Sequence, residues 1–352
     1  MNKIINILKG KKSIPIDQFI NLSLYNKKFG YYMKKNPFGE KGDYITSPLI
    51  SNLFGEMIAI WCVAFWEHLG KPNKILIAEI GPGDATLCKD LLNAFKNFKE
   101  FYNCVEINLI EKSNILKKIQ KNKIKSKKVK WLNRINEINN GPIIFLCNEF
   151  FDALPIKQFS KKKKIWYEKF VCSKNKKLEF IDIKKENLKI EKIFDQKISQ
   201  DINFIEYSPL AFKKLNTISK LIKKYNGGIL IIDYGYYKKK MINTLQSVKN
   251  HKKKSFFKNI YKSDITHMLN FNYYKTKLIN LKLDSIQFTT QREFLMKMGI
   301  IERAEIISKN LPFSKKADIY FRLKRLIDNK EMGSLFKVFF ATKKKNKFNL
   351  GF

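Results

Sequence analysis

From residue 74 onward the sequence alternates between two periodicities, and few folds accommodate that alternation. "KILIAEI" (74–80) is a short run apolar on both faces, as a strand buried between two layers must be. "GPGDAT" (81–86) is a turn, and "LCKDLLNAFKNF" (87–98) repeats its apolar residues every three to four positions, as a helix covering a sheet does. The cycle then recurs. "VEINLIE" (105–111) precedes a helix from Ser113, "KVKWL" (128–132) and "PIIFLCNE" (142–149) are further strands, and a helix over 209–225 leads into "GGILIIDYG" (227–235). Strands separated by helices run parallel, because each crossover returns the chain to the same end of the sheet, so a doubly wound α/β fold is expected.

Three segments lie outside this pattern. Residues 14–29 and 49–69 carry helical periodicity and flank the loop "FGYYMKKNPFGEKGDYITSP" (29–48), whose Gly30, Pro37, Gly39, Gly42 and Pro48 impose an unusual backbone path. A stretch at about 156–206 alternates β-like runs with lysine-rich turns, as an antiparallel flap would, and one at about 236–285 is too long and too aromatic for a linker. The expected organisation is N-terminal helices and loop over 1–70, then a core over 71–352 with those two insertions.

Ligands of open α/β sheets bind beyond the carboxyl ends of the strands, and four polar features fall there. The first is "EIGPGDA" (79–85): a Gly-x-Gly turn feeding a helix lets backbone approach a ligand closely and aims free N–H groups at it. Thr86 stands where a third glycine would complete a dinucleotide fingerprint, and Glu79 would repel a phosphate but attract a cationic amino acid or sulfonium. The second is Glu111, which either accepts the ribose hydroxyls of an adenosine or complements a helix N-terminus. The third is "CNEFFDALP" (147–155): if Glu149 and Asp152 begin a helical turn, both acids share one face and hold a planar cation bidentately, or else they complement the helix dipole. The fourth is Asp233, facing the same crevice or serving a turn.

The charge is a poor guide to partners. The formal net charge is +39, but only five of the 70 basic residues are arginine (Arg134, Arg292, Arg303, Arg322 and Arg325). Lys, Asn and Ile, all abundant here, are coded by A- and T-rich triplets, so an AT-rich, bacterial genome accounts for most of the excess. The lysines are scattered and not gathered into a stripe with arginines and aromatics, so no nucleic-acid partner is expected. Five dispersed cysteines (62, 88, 104, 147 and 172) and three histidines (68, 251 and 267) suggest reduced thiols and no metal site. The N-terminus resembles neither a signal peptide nor a presequence, and no apolar run approaches the ~18 residues of a membrane span, so a cytoplasmic protein is expected.

In this order, "GYYM", "NPFGEKGDYITSP", "EIGPG", "CNEFFDALP", "GGILIIDYG", "TLQ" and "MGSLFKVF" resemble the MidA-like S-adenosylmethionine-dependent methyltransferases, over about residues 13–340. The resemblance implies a class I methyltransferase (Rossmann-like) fold with S-adenosylmethionine as cofactor. Mitochondrial members of that family are arginine methyltransferases acting on a core subunit of respiratory complex I during its assembly, so the substrate implied is an arginine of a complex I subunit. Glu79, Gly81, Gly83, Glu111 and Asn148 then fall in the cofactor region, and Glu149 and Asp152 in the active site. A homodimer is compatible with this reading.

The chain departs from the family pattern at several positions. Asp84 and Ala85 replace the Arg and third Gly of Gly-Pro-Gly-Arg-Gly-Thr, Leu49 replaces a Glu, and Met268 and Asn270 replace the His and Asp of "DLTAHVDF". The alternative expectation that follows is a cofactor-binding complex I assembly factor with little catalytic activity.

Overall fold

The computed structural model describes residues 12–34, 36–39, 42–175, 177–186, 188–194, 201–250 and 252–352. His251, three loop residues (Lys35, Glu40 and Lys41) and the first eleven residues, on which the absence of a leader was argued, lie outside the described residues.

Helices α1 (Ile16–Tyr25) and α2 (Asn52–His68) precede the sheet. Then come β1 (Ile75–Ile80), α3 (Thr86–Phe95), β2 (Val105–Ile110), α4 (Asn114–Lys123), β3 (Val129–Leu132) and β4 (Ile143–Asn148). After the first insertion follow α5 (Pro209–Tyr225) and β5 (Gly227–Tyr236). After the second follow α6 (Phe271–Asn280), β6 (Ser285–Thr290), α7 (Gln291–Lys297), α8 (Ile300–Ser308), α9 (Phe313–Ile327) and β7 (Phe336–Thr342).

The strands lie in the order β6-β7-β5-β4-β1-β2-β3. β7 runs antiparallel to both its neighbours and the other pairs are parallel, which is the doubly wound sheet expected from the alternation. Alternate strand residues serve opposite layers. Leu76, Ala78 and Ile80 of β1 join Phe145 and Cys147 in the layer under α5 and α6, while Ile75 and Ile77 join Ile144 and Leu146 in the layer under α2 and α3. Burial on both faces is why these strands read as continuous apolar runs.

Register decides what meets at the sheet's edge. Glu79 is level with Leu109 of β2 and with Leu146 of β4, so two residues further on Gly81, Glu111 and Asn148 emerge side by side. The order also reverses between β1 and β4, the point at which a crevice opens in such sheets.

The insertions pack with the N-terminal segment into a cap, whose N-terminal part faces that edge. Residues Lys157–Lys162, Ile165–Lys174, Lys177–Lys185 and Phe204–Tyr207 form an antiparallel sheet, joined by Ser13–Pro15 from the N-terminal segment. Phe19, Ile20 and Leu24 of α1 pack with Ile156 and Val171 of the first insertion and with Ile260 and Ile265 of the second. The N-terminal stretch therefore divides in its packing: α1 belongs with the cap, whereas α2 is buried in the main core.

Candidate active site

A cavity of about 540 Å³ lies between the carboxyl ends of β1, β2 and β4 and the cap. That volume suits a small-molecule ligand. The sheet side of its lining includes Glu79, Gly81, Gly83, Glu111, Asn148 and Glu149, and the cap side Tyr25, Tyr32, Phe38 and Tyr44.

The turn after β1 needs its glycines for two reasons. Gly81 and Gly83 have φ of +69° and +54°, in the left-handed region that costs other residues energy. In addition, a Cβ on Gly81 would lie 2.6 Å from Phe150 Cδ2, and one on Gly83 3.0 Å from Phe38 Cζ. Ala85 adopts φ +63° without being glycine, a strain of ~1 kcal/mol at the family's third glycine position.

The start of α3 differs from expectation. Free N–H groups are expected at the turn and helix start, but Asp84 accepts the Thr86 N–H at 3.1 Å, together with the Thr86 hydroxyl at 2.8 Å and Lys123 Nζ at 2.6 Å. One N–H of this helix end is thus satisfied internally.

Two acceptors lining the cavity have no donor: Glu79 Oε2 and Asn148 Oδ1 are both buried without a hydrogen-bond partner. Burial, with Asp84 and Asp90 nearby, pushes the Glu79 carboxyl up to about 8. A ligand bringing an ammonium and a positive charge would satisfy both oxygens and relieve the desolvation penalty. The two donorless oxygens of Glu79 and Asn148 fit the amino acid end of S-adenosylmethionine.

Of the two readings of Glu111, the hydrogen bonds show the helix-start role, and its second oxygen is less committed. Its Oε1 accepts the Lys112 and Ser113 N–H groups at 2.7 Å each, at the start of α4, while Oε2 accepts only Gln120 Nε2 at 3.3 Å. Burial raises its pKa and these hydrogen bonds oppose the rise.

Glu149 has φ +48°, and its N–H donates to Ile232 O at 2.8 Å. Its Oε1 accepts Ser47 N at 3.0 Å and Asn148 Nδ2 at 3.3 Å. Burial first, and then the Asp152 charge, pushes this carboxyl up to about 8.

The expected helical turn is absent. The left-handed backbone at Glu149 breaks any helix there, and residues 151–154 form a turn instead. Asp152 is carried away from Glu149's face: its Oδ2 accepts Thr266 Oγ1 at 2.9 Å, and it is not among the cavity-lining residues. Asp233 holds this turn, its carboxylate accepting the N–H groups of Phe151 (3.1 Å), Asp152 (3.3 Å) and Tyr234 (3.0 Å). Of the two readings of Asp233, the geometry favours the turn.

Several site residues carried no individual signal. The Tyr32 hydroxyl donates to Asp264 at 2.9 Å, Tyr44 donates to Tyr32 at 3.0 Å, and Tyr25 donates to Ala153 O at 2.9 Å. They form an aromatic wall, hinted at only by the clustered rings of residues 29–44. Lys214 lies 5.3 Å from the centre of the Phe150 ring, and burial followed by Lys112 lowers its pKa to about 8.

One departure keeps a structural role. Asn270 caps α6, accepting Asn272 N at 3.2 Å as an Asp would. Met268 N donates to Thr244 Oγ1 at 2.9 Å. His267 is buried behind the turn, its backbone N–H donating to Asp152 O at 3.1 Å, and burial lowers the pKa of its ring to about 4. Nothing in the structure explains Leu49.

Comparison with known proteins gives the family and the fold. A model of a family described as S-adenosyl-L-methionine-dependent methyltransferase matches residues 57–289. The protein arginine methyltransferase NDUFAF7, mitochondrial, of Xenopus laevis is 29% identical over 96% of this chain and 83% of its own length. Its Caenorhabditis elegans homolog is 31% identical over 82% of this chain and 74% of its own. A Burkholderia thailandensis protein crystallised with S-adenosyl-homocysteine shares the fold, with a TM-score of 0.82 and 21% identity over 99% of this chain and 92% of its own. The chain belongs to this family of S-adenosyl-L-methionine-dependent methyltransferases, with S-adenosylmethionine as its cofactor.

Proposed function

We propose that the chain methylates an arginine side chain of a protein, and that this protein is a subunit of respiratory complex I (NADH:quinone oxidoreductase). The observation that carries the arginine reading is Glu149, a buried carboxyl lining the same cavity as the glycine turn, in a chain whose relatives are named protein arginine methyltransferases. The complex I link rests on the family resemblance.

When bound, S-adenosylmethionine supplies a methyl group on a sulfonium, an electrophile that needs no acid catalyst. The chain has to hold and align. Gly81 and Gly83 admit the cofactor to the backbone, Glu79 and Asn148 take its ammonium, and Glu111 takes the ribose hydroxyls. Glu149 accepts two N–H groups of the guanidinium, which gathers the positive charge on one side and leaves the third nitrogen free to attack. Alignment of that nitrogen with the methyl carbon supplies much of the remaining rate. Asp152, which does not line the cavity, acts at a distance: its charge adds to the burial that pushes the Glu149 carboxyl up to about 8, and a cationic guanidinium beside Glu149 favours the carboxylate form that accepts its N–H groups.

The low-activity alternative gains nothing from Asn270, which keeps its capping role. No helix among the described residues is long and apolar enough to cross a membrane, and a cytoplasmic location stays a proposal. So does a homodimer, which sedimentation of the purified chain decides.

The test of the site is Glu149→Gln, assayed with labelled S-adenosylmethionine on extract of cells lacking the gene. Methylarginine formation is expected to fall on the order of 100-fold or more with cofactor binding retained. Unchanged transfer would sink the assignment.

A further inference from the structure

Gln120, in α4, is fully buried, and its side-chain amide is engaged at both ends. Oε1 accepts the Trp131 indole N–H at 3.1 Å, while Nε2 donates to Gly83 O at 2.8 Å and to Glu111 Oε2 at 3.3 Å. An indole N–H can only donate, so it fixes which end of the amide is oxygen, and the NH₂ must then face Gly83 and Glu111. Those two acceptors belong to separate loops, one after β1 and one after β2, and both residues line the cavity. Gln120 does not line it.

We propose that Gln120 is a positioning residue of the cofactor site: its amide ties the carbonyl of the glycine turn to the carboxylate of Glu111, and so sets the spacing of the two loops that hold S-adenosylmethionine. The inference rests on the reading of Gly83 and Glu111 as cofactor-binding residues. Glu111 Oε1 is already committed to two backbone N–H groups, so the orientation of Oε2, the oxygen left for ribose hydroxyls, depends on this one amide donor. Removing it leaves a buried carbonyl and a buried carboxylate oxygen each short of a donor, and both would shift to find one.

A double-mutant cycle on S-adenosyl-homocysteine binding, read by calorimetry, separates this role from simple core packing. Gln120→Met, close in size but without donors, is expected to weaken binding about tenfold, and Glu111→Gln at least as much. In the Glu111→Gln background Gln120→Met should cost less than about threefold, because the amide acts through that carboxylate. If Glu111→Gln leaves binding unchanged, the cofactor reading of Glu111 is wrong and the inference goes with it. If Glu111→Gln weakens binding while Gln120→Met does not, or if the two effects simply multiply, only the inference is wrong. Should Gln120→Met not fold, Gln120→Glu replaces it, keeping an acceptor for Trp131 but setting a second carboxylate against Glu111. Binding weakened at least about tenfold at pH 8 in the folded variant supports the role, and unchanged binding overturns it.

Discussion

Raising the pH from 6 to 7.5 is expected to tighten S-adenosylmethionine binding about twentyfold, through Glu79. In the ligand-free chain burial pushes this carboxyl up to about 8, with Asp84 and Asp90 adding to the shift, and its Oε2 has no donor. A cationic ligand favours the carboxylate, so binding selects the ionised form and releases a proton. Affinity then scales with the ionised fraction, roughly 1% at pH 6 and about a quarter at pH 7.5 for a pKa near 8. Over this window the ligand's own α-amino group, with an ordinary pKa of about 8, stays mostly cationic. Calorimetry in two buffers of different ionisation enthalpy gives both the affinity and the protons released, which should approach one per site near pH 6.5.

Folding stability has the opposite sign. The folded pKa of Glu79 lies above the unfolded value, so the native chain holds a proton that the unfolded chain has lost, and ligand-free stability falls as the pH rises from about 4.5 through 8. Glu79→Gln should flatten both trends. An affinity independent of pH, or a Glu79→Gln variant that keeps the full slope, would refute the reasoning.

Two further substitutions probe the glycine turn. Ala85→Gly should stabilise the chain by about 0.5–1 kcal/mol in urea unfolding, because φ +63° suits glycine, less the greater entropy of an unfolded glycine. Gly81→Ala should abolish measurable S-adenosyl-homocysteine binding, since the new Cβ would press on Phe150 at 2.6 Å and the φ of +69° is strained for alanine. Retained affinity in that variant would show that the turn tolerates a side chain and is not the cofactor's seat.

The sheet was legible because its strands are buried on both faces, a property written in consecutive residues. The helix expected over 209–225 is α5, residue for residue. Register brings Gly81, Glu111 and Asn148 level; a strand-end rule nominated the first two, and the family resemblance the third. What stayed hidden depends on contacts distant in sequence. The left-handed turn at Glu149 is held by Ile232 and Asp233, more than eighty residues on, and it separates two acids whose spacing of three suggested one helical face. The cap joins α1 to two insertions through tertiary packing that no local pattern records. Gln120 lies in "KKIQKNK", which reads as a solvated helix face, yet its amide is buried between two strand ends.

The central claim, methyl transfer to a protein arginine, is tested most directly by mass spectrometry of arginine methylation across the host's proteins, with and without this gene. Methylation is expected to be lost at a single arginine, on a complex I subunit, and restored by the intact gene and not by Glu149→Gln. An unchanged arginine methylation pattern in cells lacking the gene would contradict it.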